Sequence, residues 1–231
     1  MALRNDRRKT VVKLNIIVEG GVPLGNIQAD TASNVESLRQ SLYMFFSRLL
    51  KRSDISIIVQ MGWGVRAAIK QYLSGGAFDC MFVDSDCPKG ELETWYESFQ
   101  NNEYPETSII IPENRRSGIF FMIQEMEAWM LKQPECLDRW GEAKGYLRKR
   151  CAEKIEDHSL IREKDIEAIN KPSEKLSILI RTFFEKESDG KKKKISYGKL
   201  KSAPDILDEI EVEKLLPLDA ELQRFLTILN T

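Results

Sequence analysis

The sequence predicts an α/β fold: a parallel sheet flanked by helices, followed by a helical C-terminal extension. Apolar runs alternate with amphipathic segments in the first half, as in the β-α-β crossovers that build parallel sheets. The second half has mainly helical patterns. The chain has 231 residues, of which 42% are hydrophobic and 31% charged, and this is the composition of a globular protein.

Strands and helices alternate in the first half. The strands are predicted at 11–19, 55–60, 78–84 and 107–111. The helices between them are predicted at 34–51, 65–73 and 91–100. The first strand, VVKLNIIVE, is apolar almost throughout, which is typical of a strand buried on both faces. Ser33 or Asn34 is the predicted cap of the first helix, because the preceding GGVPLGNIQADTAS is too rich in glycine and polar residues for a regular element.

The second half is predicted to be helical. The segment GIFFMIQEMEAWML is apolar almost all round and therefore predicts a buried helix. Further helices are predicted at 173–186, 203–211 and 218–229, and SDGKKKKISYGKLKS is predicted as a basic loop. We divide the chain into an α/β domain, 1–133, and a helical extension, 134–231, that packs on it as one compact unit.

Composition and charge exclude several classes of protein. The net charge is −1, so the chain as a whole is not a basic nucleic-acid coat. No apolar run approaches the roughly 20 residues of a membrane span, and the basic start lacks a signal-peptide core. We therefore expect a cytoplasmic protein without membrane contact, whose four cysteines are reduced thiols. The single histidine, His158, lies in a charged run and is read as a surface residue, which argues against hydrolases that need a histidine base.

Acidic residues follow two of the predicted strands. Glu19 closes the first strand, and Asp84 and Asp86 close the third as VDSD. The carboxyl ends of parallel strands meet at one edge of a sheet, so these three side chains are predicted to converge. Carboxylate oxygens suit Mg²⁺ or Mn²⁺, which can orient a phosphate and activate water. The alternative is that Asp84 and Asp86 are turn residues that cap the next helix.

Two further features are candidates for the same site. Glu127 lies on an apolar helical stripe, where an unpaired carboxylate is costly, although Glu125 is an alternative candidate to face the site. The basic loop surrounds an aromatic residue, a combination that can contact a sugar-phosphate backbone. Its candidate nucleic-acid-binding residues are Lys191, Lys192, Lys193, Lys194, Tyr197, Lys199 and Lys201. The alternative is a solvated, flexible loop.

Two nucleotide-binding motifs are absent. EGGVPLGN lacks the GK[ST] ending of a Walker P-loop, and no GxGxxG follows the first strand.

Several segments together resemble a bacterial family. IIVEGG, a strand leading into GWG, FVDSD, IQEMEAWML, INKP and YGKLKS, spread over residues 11 to 211, are similar to the Toprim-like domain-of-unknown-function family 4276. Its site pattern is related to that of overcoming-lysogenization-defect nucleases. The resemblance implies a Toprim-like sheet with Glu19, Asp84 and Asp86 as metal ligands, and matches the family's MEAW motif to Met126–Trp129. Of the family's Tyr, Lys and His near the end, Tyr197 and Lys199 match, and Ser202 stands at the histidine position.

Three functions follow from these patterns. The first is a Mg²⁺-dependent nuclease with Glu19, Asp84, Asp86, Glu127 and Lys199 as catalytic residues. The resemblance implies that it serves anti-phage defence with an ABC-type or OLD-like ATPase partner, as a homo- or hetero-oligomer. The second is a non-catalytic subunit that docks the ATPase. The third is another DxD enzyme, although Cys87-Pro88 differs from the Thr that dehalogenase-type phosphatases carry after DxD.

Overall fold

A four-stranded parallel sheet with strand order β2-β1-β3-β4 forms the centre of the protein. We describe the fold from a computed structural model, which covers residues 11–21, 29–77, 79–100, 108–188 and 190–230. The strands of this sheet are β1 (Val12–Val18), β2 (Ile55–Met61), β3 (Asp79–Asp84) and β4 (Ile119–Met122). All three pairings between them are parallel, which confirms the predicted fold class.

Ten helices are described around the sheet. In the first half they are α1 (Ala29–Leu50), α2 (Val65–Ser74), α3 (Leu92–Gln100), α4 (Glu113–Arg116) and α5 (Glu127–Lys132). In the second half they are α6 (Glu135–Ala143), α7 (Pro172–Phe183), α8 (Lys199–Asp208), α9 (Val212–Leu215) and α10 (Ala220–Leu229). The first of them begins at Ala29, so the prediction that Ser33 or Asn34 caps it is wrong. Half of the predicted loop before it, residues 22–28, lies outside the described residues, and residues 29–33 belong to the helix.

The fourth strand is not where the sequence placed it. Within the described residues, 108–112 forms no strand: Ile109 N donates to the carbonyl of Phe99, and Ile110 is 73% exposed. The strand is IFFM instead, at the start of the segment predicted as one long buried helix. A short apolar run fits a buried strand and a buried helix equally well, so periodicity cannot separate the two.

The sheet separates two apolar layers. Side chains of β3 alternate between them: Cys80 and Phe82 face one layer, and Met81 and Val83 face the other. The first layer contains α1 and the C-terminal helices, and the second contains α2 and α3. Burial on both faces explains why these strands are apolar throughout.

The C-terminal helices cover one edge of the sheet. In α10, Phe225 packs edge-on against Phe82 and Phe120, with ring centroids 5.1 Å apart in both pairs. A carboxylate oxygen of Glu221 accepts a hydrogen bond of 3.0 Å from the backbone N–H of Phe121, on edge strand β4. Pairing such a donor protects an edge strand from further strand addition.

A second, antiparallel sheet was not predicted. Its strands are β5 (Leu147–Arg148), β6 (Phe184–Ser188) and β7 (Lys191–Lys194), in that order across the sheet. The four lysines predicted to lie in a loop therefore form a strand. Propensity argues against a strand of four lysines, but pairing with β6 and an exposed edge position make it tolerable.

Candidate functional site

Three predicted acidic residues lie at the carboxyl edge of the parallel sheet. β1 and β3 are neighbours, with Val18 paired to Phe82, and Glu19 N donates to the Phe82 carbonyl at 2.8 Å. Glu19 is half-buried beyond the end of β1, and Asp84 is the last residue of β3. Burial, together with the charges of Asp84 and Asp86, raises the pKa of Glu19 to about 7. The charges of both aspartates therefore act on Glu19 at this edge of the sheet.

Asp84 is the buried centre of the cluster. Its side chain accepts a 2.9 Å hydrogen bond from Met126 N and a 2.5 Å bond from the ammonium of Lys199. Burial alone would lower the pKa of Lys199, but the charges of Asp84 and Glu127 outweigh it and raise that pKa above its ordinary value. The Lys199 side chain thus stays charged and acts as the counter-ion of Asp84.

The turn after Asp84 is held by the loop that follows β4. Asp86 has a left-handed φ of 51°, and its N–H donates to the Gln124 carbonyl at 2.9 Å. The hydroxyl of Ser85 accepts from Gln124 N at 2.8 Å and donates to the Cys87 carbonyl at 2.6 Å. A single 3₁₀ turn, Lys89–Glu91, follows without any side-chain cap. The alternative in which the aspartates cap the next helix is therefore wrong, and Asp86 stands exposed beside the cluster.

The two glutamates of QEMEAW have different partners. Glu125 accepts a 2.7 Å hydrogen bond from the backbone N–H of Ser173, in the first turn of α7. Glu127 is fully buried; it accepts 2.6 Å from the Tyr197 hydroxyl and lies 3.8 Å from Lys199 Nζ. Burial raises the pKa of Glu127, with Lys199 opposing and Asp84 adding to the rise. Glu127 lies against Lys199 within the cluster, and the charge of Glu125 also acts on Asp84, Asp86 and Lys199.

The carboxylate oxygens of the cluster are ligands of the kind that bind a hard divalent cation. Among the described residues, Glu19 Oε2 and Glu127 Oε2 are buried oxygens without a hydrogen-bond donor. The charge of Asp84 raises the pKa of both glutamates. Oxygen ligands of this kind are those that Mg²⁺ and Mn²⁺ take. Within the residues that the structure describes, no three acidic, cysteine or histidine side chains form a ready metal-binding group. The ammonium of Lys199 is the cation that lies between Asp84 and Glu127.

The start of α8 supplies the basic side of the site. Gly198 precedes this helix, and its N–H donates to the hydroxyl of Ser202 at 3.4 Å. Ser202, at the family's histidine position, is buried and supports the start of the helix beneath Lys199. Lys201 is exposed and, among the described residues, forms no ion pair with the cluster.

Four of the candidate nucleic-acid-binding lysines, Lys191 to Lys194, form β7, and the other two lie on α8. Strand pairing places Lys192 and Lys194 on one face with Glu185 and Glu187, and Lys192 Nζ lies 2.6 Å from Glu185. The other face carries three further lysines and a serine: Lys186, Lys191, Lys193 and Ser188. One face of the hairpin is therefore balanced in charge and the other is strongly basic. Tyr197 points away from this basic face, to Glu127.

The helix α7 contributes a part of the site that the sequence does not predict. Ser173, Ser177 and Arg181 recur every fourth residue and line a cleft beside Glu127 and Lys199. The spacing was visible in the sequence, but two serines and an arginine on a helix give no sign of what they face.

His158, expected at the surface, is half-buried edge-on to Phe183, and its Nδ1 accepts from Leu160 N.

The family model of a domain of unknown function, DUF4276, matches residues 26–230. The chain belongs to this family, as the resemblance in its motifs indicated. No curated protein and no solved structure matches the chain. Among the described residues, no helix combines the length and apolarity needed to cross a bilayer.

Proposed function

We propose that this protein is a divalent-cation-dependent nuclease that hydrolyses phosphodiester bonds in DNA or RNA. One observation carries the proposal: Asp84, which ends β3, forms an ion pair with Lys199, and its charge acts on Glu19 and Glu127 at the carboxyl edge of the parallel sheet. Ligand sites of open α/β sheets form at this edge. The likeness of these motifs to Toprim-like domains supports the same function.

Each residue of the cluster has a proposed role. Glu19, Asp84 and Asp86 would hold Mg²⁺ or Mn²⁺, which polarises the scissile phosphate and lowers the pKa of the attacking water. In the alternative in which Glu19 is not a ligand, its pKa of about 7 gives it the proton affinity of a general base near neutral pH. Lys199 would stabilise negative charge that develops on the phosphate. Tyr197 fixes Glu127, and Glu127 in turn helps to hold Lys199.

The basic face of the β6–β7 hairpin is proposed to bind the nucleic-acid backbone. Lys186, Lys191 and Lys193 share this face of the strand pair, and Lys193 Nζ also donates to the Ser188 hydroxyl at 3.1 Å. Tyr197 is assigned to the acidic cluster instead of base stacking, because its hydroxyl is bonded to Glu127. Binding through lysines alone would depend strongly on salt and weakly on sequence.

We further propose that the protein acts in the cytoplasm with an ATPase of the ABC or OLD-like type, as the effector of an anti-phage defence system. Its net charge of −1 fits a nuclease subunit that receives its substrate with the help of a partner. One observation favours a second function, a non-catalytic docking subunit: Lys199 already neutralises Asp84. In that case the ion pair would serve stability alone.

A cleavage assay separates the two functions. Supercoiled DNA, linear DNA and tRNA are incubated with and without Mg²⁺, and with and without an ATPase of the ABC or OLD-like type. We expect Mg²⁺-dependent cleavage that Asp84→Asn and Asp86→Asn abolish. Asp79→Asn is the matched control, because Asp79 lies on the same strand at its opposite end and bonds Asn15. If the aspartate variants cleave as fast as the wild type, the nuclease proposal fails.

A further inference from the structure

A cleft of about 520 Å³ opens beside the acidic cluster. One wall is the exposed face of α7, on which Ser173, Ser177 and Arg181 follow one another at intervals of four residues. Residues four apart lie above one another on the same side of a helix. The opposite wall is formed by Tyr197 and Lys199. The cleft therefore runs from the catalytic candidates along one helix.

The acidic residues of the cleft already have partners. The Glu125 carboxylate accepts from Ser173 N at 2.7 Å, and Glu174 lies 3.0 Å from Lys171 Nζ. Glu127 is bonded to Tyr197 and adjoins Lys199. These carboxylates are thus engaged by donors within the protein, and repel an incoming anion less than free ones would.

Arg181, in contrast to these carboxylates, is a basic residue in the lining of the cleft. Its guanidinium carries five N–H donors, and the one bond described for it runs from Nε to the Ser177 carbonyl at 3.2 Å. Within the described parts of the chain no carboxylate forms an ion pair with Arg181, and its side chain is exposed. Its terminal nitrogens form the fork that binds phosphate oxygens in pairs.

The position of Arg181 connects two regions of the protein. It lies three residues before β6, which begins the basic hairpin, and it shares the cleft with Lys199. A phosphodiester strand that reaches from the hairpin to the acidic cluster passes this side chain. Successive phosphates then meet hairpin lysines, Arg181 and the candidate metal ligands in turn.

We propose that Arg181 binds a phosphate next to the scissile one, and that the Ser173–Ser177–Arg181 face of α7 is a wall of the substrate site. This inference rests on the proposed function, because it assigns a nucleic-acid strand to the cleft. Arg181 is a substrate-binding residue and takes no part in proton transfer. Ser177 lines the same cleft one helical turn before Arg181.

The test compares Arg181→Gln and Arg181→Lys with Lys175→Ala. Lys175 lies on the same helix and does not line the cleft. Its replacement by alanine removes one positive charge, as Arg181→Gln does. Binding of a fluorescent single-stranded 20-mer in EDTA is followed by anisotropy over a salt series. We expect Arg181→Gln to weaken binding about 3- to 10-fold and to lower the slope of log K against log salt by roughly 0.7. Arg181→Lys should restore the slope but not the full affinity.

Steady-state cleavage completes the test, and melting curves of all three variants verify that they are folded. We expect Arg181→Gln to raise KM with little change in kcat. If the wild type cleaves and Arg181→Gln behaves like Lys175→Ala, the inference is overturned and the nuclease proposal stands. If the wild type binds without cleaving and Arg181→Gln still weakens binding, the nuclease proposal fails and the cleft assignment holds. A wild type that neither binds nor cleaves overturns both.

Discussion

Replacing Glu19 by glutamine should stabilise the protein at alkaline pH and change little at acidic pH. The folded protein holds the Glu19 proton more tightly than the unfolded chain does, since its pKa rises from 4.5 to about 7. Raising the pH through this interval therefore costs folding free energy. Below the ordinary carboxyl pKa the group is protonated in both states, and the cost vanishes.

The size of the effect follows from the difference in pKa. A rise from 4.5 to about 7, at about 1.4 kcal/mol per unit, gives a cost near 3 kcal/mol at pH 8. At pH 5 the same difference costs less than about 1 kcal/mol. Because the side chain is only half-buried, we expect a gain of about 2–3 kcal/mol for Glu19→Gln at pH 8. In a chain of this length that corresponds to about 5–10 °C in Tm.

Thermal melting of the two proteins at pH 5 and pH 8, without divalent cations, measures this gain. Glu36→Gln is the control, because that exposed carboxylate is bonded to Arg39 and its pKa is lowered, so its loss should not stabilise. Adding Mg²⁺ at pH 8 should raise the Tm of the wild type more than that of Glu19→Gln, since a bound cation offsets the same repulsion. An equal Tm at pH 8, or an equal gain at both pH values, would refute this account of Glu19.

Four further predictions concern Asp84, Lys199 and the lysines of β7. Asp84→Asn should lower the free energy of unfolding by about 1–3 kcal/mol in urea titrations, because it removes the closest ion-pair partner of the partly exposed Lys199. A stabilised variant would show that repulsion between the carboxylates dominates at this position. Lys199→Ala should lower kcat in single-turnover assays more than it raises KM, and an effect on KM alone would contradict a role in the transition state. Changing Lys191 to Lys194 together to alanine should lower the salt slope of binding by roughly 0.7 to 0.9 per lost phosphate contact. Lys192→Ala alone should lower it least, because Glu185 already neutralises that side chain; an unchanged slope in the quadruple variant would remove the hairpin from the interface.

The parallel sheet was predictable because strands that are buried on both faces are apolar throughout, and this pattern is visible in the sequence. β1, β2 and β3 begin and end within two residues of their predicted bounds. The fourth strand was misplaced because Ile109 and Ile111 are as apolar as Phe120 and Phe121, and the sequence does not say which pair continues the sheet. In the fold, Ile109 is bonded to the end of α3, and Phe121 pairs beside Val83. Only tertiary contacts distinguish the two segments.

The acidic part of the site was predictable and its partners were not. Glu19 and Asp84 end neighbouring parallel strands, so topology alone brings them to one edge. Lys199 reaches Asp84 across 115 residues, and Tyr197 reaches Glu127 across 70. Such contacts depend on how α8 packs against α1 and α5, which no local pattern encodes. For the same reason the cleft wall on α7 could not be read from the spacing of Ser173, Ser177 and Arg181.

The placement of Lys199 has a consequence for how the site can be regulated. Without a divalent cation, this ammonium neutralises Asp84 and adjoins Glu127, so two buried carboxylates remain tolerable in the folded protein. Among the described residues Glu19 forms no ion pair, and burial, together with the charges of Asp84 and Asp86, raises its pKa. A divalent cation would therefore gain most from Glu19 and would have to share or displace Lys199 at Asp84. Since Lys199 stands at the first residue of α8 and α8 packs on α1, a partner that shifts either helix would change the affinity of the site for its cation.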